Sequence, residues 1–250
     1  MKFILVGNWK NYPSSLEEAN ILLNALSKQG KLFKKLSTCI APPAPYMGVL
    51  SKKIKSFASL CSQDIFALSG THTGFITTDI LKNFGVKATI IGHSERRKLG
   101  ETNKDVSEKI KNALQMGIVP IVCVGEEVHD AEGKYFEALN EQIGASLEGV
   151  KKNEAKKLVM AYEPVWAIGK RAKDAMQPEE LSQMVIFIKK VLTEMFGRES
   201  ADKMSVIYGG SAEPGNVRDL IAGTGVKGFL VGHASLNAKN FIQIAKALTE

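Results

Sequence analysis

Eight short β-rich segments recur along this chain, each followed by room for one helix, and no other feature limits the fold as severely. They lie at Lys2–Val6, Ser37–Ala41, Ser56–Cys61, Ala88–Ile91, Val119–Val124, Lys157–Tyr162, Met204–Tyr208 and Gly228–Val231. Most are continuous apolar runs rather than alternating ones, the pattern of parallel strands covered on both faces. Helical patterns fill the intervals. In SSLEEANILLNAL, Ser14 stands as a candidate N-cap with Glu17 three residues on. TNKDVSEKIKNALQMG runs from a Thr102 cap to a Gly117 stop. QPEELSQMVIFIKKVLTEMFG opens with Pro178 in its first turn and closes at Gly197. Eight such units, with no linker, low-complexity segment or break in composition, make an α/β chain: a single-domain (β/α)8 barrel over residues 1–250. The competing arrangement, an open doubly wound sheet, lacks a Gly-x-Gly-x-x-Gly after its first strand.

Composition removes several classes of function. No apolar run reaches the roughly 18 residues of a membrane span. The apolar stretch Phe3 to Val6 is too short for a secretory leader and no small-residue cleavage site follows it, so a cytoplasmic location is expected. Cys39, Cys61 and Cys123 form no Cys-x-x-Cys pair and read as small core residues of a reducing compartment. The net charge of +7 suits a lysine-rich surface or attraction for a small anion, but only 7% of residues are aromatic and no basic stripe carries them. A nucleic-acid groove is therefore not expected.

Barrel chemistry sits at the C-terminal ends of the strands, and polar residues gather there. The first strand ends in Gly7-Asn8-Trp9-Lys10, the fourth in Gly92-His93-Ser94-Glu95, the fifth in Gly125-Glu126 and the sixth in Glu163. The seventh ends in Gly209-Gly210-Ser211 and the eighth in Gly232-His233-Ala234-Ser235. A carboxylate closing a buried strand, as Glu163 does, is costly without a partner or a purpose. The two Gly-rich turns let backbone N–H groups approach an anion, and Ser211 can add a hydroxyl; tight βα turns would use glycine as well. Glu163 as a base, His93 as a neutral donor and Lys10 as a fixed charge suit proton abstraction beside a carbonyl. No Asp/His/Cys cluster has metal-ligand spacing, so no metal is needed for this chemistry. The competing readings are another barrel enzyme acting on a phosphorylated metabolite and a basic, non-enzymatic scaffold.

The motifs GNWK, GHSERR, CVGE, AYEPVWAIG, YGGS and VGHASL, in this order and spacing, resemble the triosephosphate isomerase family over essentially the whole chain. The resemblance implies a TIM barrel that interconverts dihydroxyacetone phosphate and glyceraldehyde 3-phosphate without a cofactor. It implies that Glu163 is the base, His93 the electrophile on the carbonyl, Lys10 the electrostatic anchor with Asn8 beside it, and Glu95 a supporting carboxylate. An ion pair of Glu95 with Arg96 or Arg97 is the plainer alternative. Phosphate contacts map to Gly169, Ser211, Gly232 and His233, and a closing lid to Pro164, Val165, Trp166, Ala167 and Ile168, with the segment running on to Ala172. A homodimer is implied, with residues 63–76, including Thr73-Gly74, reaching the partner.

The chain departs from the family at four places. Asn11-Tyr12 replace an apolar residue followed by Asn. Phe75 replaces the Glu after Thr-Gly, so that a charged contact with Arg96 across the interface is expected to be lost. His233 stands where a second Gly is usual, a strained position if φ there is positive. The rear of the lid, Lys170 to Gln177, lacks the usual Thr-Gly and is about two residues longer, so altered closure kinetics are expected.

Overall fold

The computed structural model describes residues 2–67, 70–168 and 176–250. Eight parallel strands close into a barrel in sequence order. They are β1 (Ile4–Asn8), β2 (Ser37–Ala41), β3 (Ser59–Ser62), β4 (Ala88–Ile91), β5 (Val119–Val124), β6 (Val159–Tyr162), β7 (Ser205–Tyr208) and β8 (Gly228–Val231). Closure is direct, with Ile4 facing Gly228 and Val6 facing Leu230 across the β1–β8 seam. Helices follow the strands and cover the outside.

The strand runs are apolar throughout because each is buried on both faces. Alternate residues split between two cores. Val6, Ala41, Cys61, Ala88, Ile90, Ile121, Cys123, Ala161, Ile207 and Leu230 pack inside the barrel. Their outward neighbours, such as Leu5, Ile40, Leu60, Ile91, Val122 and Met160, join the helix layer. Small side chains dominate the inner set because an eight-stranded barrel leaves room only for side chains to fill it.

Three strands differ from the expectation by more than a residue. β1 begins and ends two residues later, because Gly7 and Asn8 still pair with Ile40 and Ala41. β3 begins at Ser59 rather than Ser56, since Ser56 and Phe57 complete the preceding helical turn through bonds to the Lys53 and Ile54 carbonyls. β6 begins at Val159 rather than Lys157, since the Lys157 and Leu158 N–H groups close the preceding turn on the Glu154 and Ala155 carbonyls. Capping also shifts once: Ser15, not Ser14, caps Leu16–Ser27, its hydroxyl accepting from the Glu18 N–H at 3.1 Å. The Thr102 cap of Asn103–Gln115 and the Pro178 start of Pro178–Phe196 stand as read. Among the described residues, no helix is long and apolar enough to cross a membrane.

Candidate active site

Asn8, Lys10, His93, Glu163, Ser211, Gly232 and His233 line one cavity at the C-terminal mouth of the barrel, together with Ile168, Gly209 and Gly210. Its volume of about 220 Å³ is below the roughly 300–1,000 Å³ of drug-sized ligand sites, so it suits a small metabolite. Gly169, also read as a phosphate contact, lies outside the described residues, as do Lys170 to Ala175 of the altered lid.

Glu163 follows β6 directly and is almost wholly buried. Its backbone N–H donates to the Val124 carbonyl at 2.8 Å, extending the β5 pairing by one residue. The carboxylate is held on both oxygens: Oε2 accepts from the Ser94 N–H at 2.9 Å, and Oε1 lies 3.2 Å from His93 Nε2. Two glycines make space for it. A Cβ on Gly125 would fall 1.8 Å from the Glu163 carbonyl oxygen, and one on Gly209 2.7 Å from its Cγ. The Cys123 thiol packs against the same carboxylate; burial first, and the Glu163 charge second, push its pKa well above that of an ordinary thiol. It therefore stays protonated.

His93 caps the short helix Ser94–Lys98, its Nδ1 accepting from the Glu95 N–H at 3.2 Å. An accepting Nδ1 leaves the ring proton on Nε2, which faces Glu163 and the cavity. The helix start that fixes His93 also supplies the Ser94 N–H to Glu163, so one turn orients both groups.

Lys10 is the only non-glycine residue with positive φ (52°) among the described residues. Such a backbone costs on the order of 1–2 kcal/mol and persists only when its surroundings fix it. Here its N–H donates to Asn8 Oδ1 at 3.0 Å and its carbonyl accepts from Gln63 Nε2 at 2.7 Å. The same Gln63 amide donates to the Ala41 carbonyl at 2.9 Å, tying the ends of β1, β2 and β3 together. Lys10 Nζ meets Glu95 Oε1 at 2.5 Å. Glu95 thus pairs with Lys10, and not with Arg96 or Arg97. Arg97 is engaged elsewhere, with Asn103, Ser146 and the Gly92 carbonyl.

The lid residues described here form a short 3-10 turn, Val165–Ala167, after Pro164. Trp166 Nε1 donates to Glu126 Oε1 at 2.8 Å, an oxygen that also accepts from the Tyr162 hydroxyl at 2.8 Å. Ser211 Oγ donates to the Ala167 carbonyl at 3.3 Å, so this hydroxyl links the β7 turn to the lid. His233 opens the turn His233–Leu236 without a positive φ, and replacing glycine there brings no backbone strain.

Thr73 and Gly74 are exposed, and a second cavity of about 380 Å³ runs from Gly74 and Phe75 to Lys10, His93 and Arg96. Arg96 is paired within the chain, with Asp64 at 2.7 Å and Glu101 at 3.2 Å. Phe75 stacks on Phe66 with ring centroids 4.0 Å apart and remains 55% exposed.

The sequence signature of the triosephosphate isomerase family matches residues 3–248. This chain belongs to the triosephosphate isomerase family. It is 38% identical over 250 residues to the triosephosphate isomerase of Fusobacterium nucleatum, covering 98% of each chain. It is 38% identical to that of Carboxydothermus hydrogenoformans, again covering 98% of each, and 39% identical to that of Thermoanaerobacter sp. (strain X514), covering 96% of this chain and 97% of the relative. The closed eight-stranded barrel is the TIM barrel of that family. Membership makes the chain an isomerase, and it ranks the alternative barrel enzyme and the basic scaffold below that reading.

Three participants in the geometry carry no role in the sequence reading. Ser94 acts through its backbone N–H, which no side-chain pattern reveals. Gln63 reads only as the first residue of the partner-reaching segment 63–76, and its amide bonds within the chain instead, to the Lys10 and Ala41 carbonyls. Cys123 reads from sequence as core filling, and it is that, but it also faces Glu163.

Proposed function

We propose that this site interconverts dihydroxyacetone phosphate and D-glyceraldehyde 3-phosphate by proton transfer through an enediolate, with no cofactor. Glu163 takes the proton from C1, and the electron pair left behind forms the C1–C2 double bond as charge moves to the carbonyl oxygen. His93 donates from Nε2 to that oxygen, and Lys10, steadied by Asn8 and Glu95, offsets the developing charge. Transfer of the O1 proton to O2 by way of the His93 ring, and return of the carbon-bound proton to C2 by Glu163, give the aldose. The backbone around Gly169, Ser211, Gly232 and His233 holds the phosphate, and Pro164 to Ile168 close over it to keep water out.

The observation that carries this reading is the meeting of Glu163 and His93 Nε2 at 3.2 Å in the cavity that Lys10 also lines. A base and a donor must reach the same reacting atoms before pKa matters. A coupled assay with glyceraldehyde 3-phosphate tests it. We expect turnover that phosphoglycolate, a mimic of the enediolate, inhibits competitively; absence of turnover overturns the reading.

The active unit is a cytoplasmic homodimer built from one domain per chain. Its support is an uneven surface. Tyr12, Val49, Phe75, Ile80 and Leu99 are between 44% and 89% exposed and follow strands β1 to β4, which are neighbours in the barrel. Apolar surface gathered in this way calls for a partner.

A further inference from the structure

His233 is one of the charged or titratable residues lining the cavity, with Lys10, His93, Glu163 and Glu213. Two of these are already committed to carboxylates: Lys10 meets Glu95, and the Nε2 of His93 faces Glu163. Glu163 and Glu213 contribute negative charge, which opposes a phosphate. The described part of the phosphate end is otherwise the backbone of Gly209, Gly210 and Gly232 and the hydroxyl of Ser211, which bonds to Ala167. Among the described residues that line the cavity, His233 is therefore the one cation-forming side chain with no carboxylate beside it. Its ring is exposed, makes no hydrogen bond or ion pair with described residues, and sits on an unstrained backbone.

We propose that the His233 imidazole, and not only its backbone N–H, is a ligand of the substrate's phosphate group, so that its charge sets how tightly the site holds a dianion. The inference rests on the isomerase reading and names a side chain that this chain adds to it. A charged imidazole favours the dianion and a neutral one does not, so affinity is highest at low pH. It declines as pH rises and that charge is lost. The ring is solvated, so the effect is modest, about fivefold. The Glu213 carboxylate, on the same cavity, works against it.

Sulfate is a suitable probe because it is a dianion throughout this range, whereas phosphate esters titrate within it. Its inhibition constant is measured from pH 5.5 to 8.5 for the intact enzyme, for His233→Gln and for Glu213→Gln. We expect sulfate to weaken about fivefold with rising pH in the intact enzyme. His233→Gln should bind it weakly and almost independently of pH, while Glu213→Gln binds it more tightly and keeps the step. With substrate at pH 6.5, His233→Gln should raise KM more than it lowers kcat. An NMR titration of the histidines in the unmutated protein provides a check that needs no variant: by linkage, sulfate must move the His233 titration to higher pH. An unchanged pH step in His233→Gln, or an NMR titration indifferent to sulfate, overturns the proposal. Failure of the isomerase reading is distinguishable, since the unmutated chain would then not turn over glyceraldehyde 3-phosphate at all.

Discussion

Glu163 is fixed by neighbours that keep its carboxylate ready without engaging it, among the described residues, in an ion pair with Lys or Arg. Ser94 and His93 hold its two oxygens, while Gly125 and Gly209 leave its backbone and Cγ space. Two expectations follow at this scale. Glu163→Gln keeps the shape and an accepting oxygen, so we expect kcat to fall by about 10²–10⁴-fold with little change in melting temperature; near-normal turnover would remove Glu163 as the base. Gly209→Ala places a methyl 2.7 Å from Glu163 Cγ and should displace the carboxylate. Misplacement of about 1 Å can cost on the order of 10²-fold, so steady-state kinetics should show a large loss in kcat with the fold intact by circular dichroism. Glu163, His93 and Lys10 were legible in the sequence because strand-end polar residues converge in a barrel. Ser94 and Gln63 were not: the first acts through its main chain, and the second bonds to carbonyls distant in sequence.

At the scale of the element, the helix Asn103–Gln115 shows what local sequence can specify. The Thr102 hydroxyl accepts from the Asp105 N–H at 3.2 Å, and Asp105 Oδ2 accepts from the Thr102 N–H at 2.9 Å. Thr102→Ala should cost about 1 kcal/mol of unfolding free energy, measurable in urea. Hydrogen bonds from the Thr102 hydroxyl and then its N–H hold the Asp105 carboxyl below its ordinary 3.8. Its folded pKa is depressed, so its contribution is present above pH 3.8 and is lost as pH falls below that value. Asp105→Asn should accordingly flatten the acid limb of the stability curve; an unchanged limb would contradict the assignment. The lid is a contrasting element. Its front half is anchored by Trp166 to Glu126, where Tyr162 also donates. Trp166→Phe removes that donor, and we expect an altered dependence of kcat on solvent viscosity. AYEPVWAIG marked this segment in the sequence, but a tryptophan's partner on the neighbouring strand end is set by tertiary packing.

For the whole molecule, the order of eight strand-helix units was legible because burial on both faces writes continuous apolar runs. Strand ends were less so: Gly7-Asn8 and Ser56 look alike as turn residues, and only pairing with β2 or closure of a helical turn separates them. Two cavities share Asn8, Lys10 and His93, and one of them reaches the exposed Phe75. Leu99 is 89% exposed, so Leu99→Glu should spare the fold of one chain while weakening the proposed dimer. Sedimentation should then show more monomer and a fall in activity on dilution. The central claim is proton transfer by Glu163, and deuterium incorporation tests it most directly. Incubated in deuterated water with dihydroxyacetone phosphate, the unmutated chain should yield glyceraldehyde 3-phosphate bearing solvent deuterium at C2, and Glu163→Gln should yield almost none. Product formed by Glu163→Gln at the unmutated rate, or an unmutated chain that leaves the substrate unlabelled and unconverted, would contradict it.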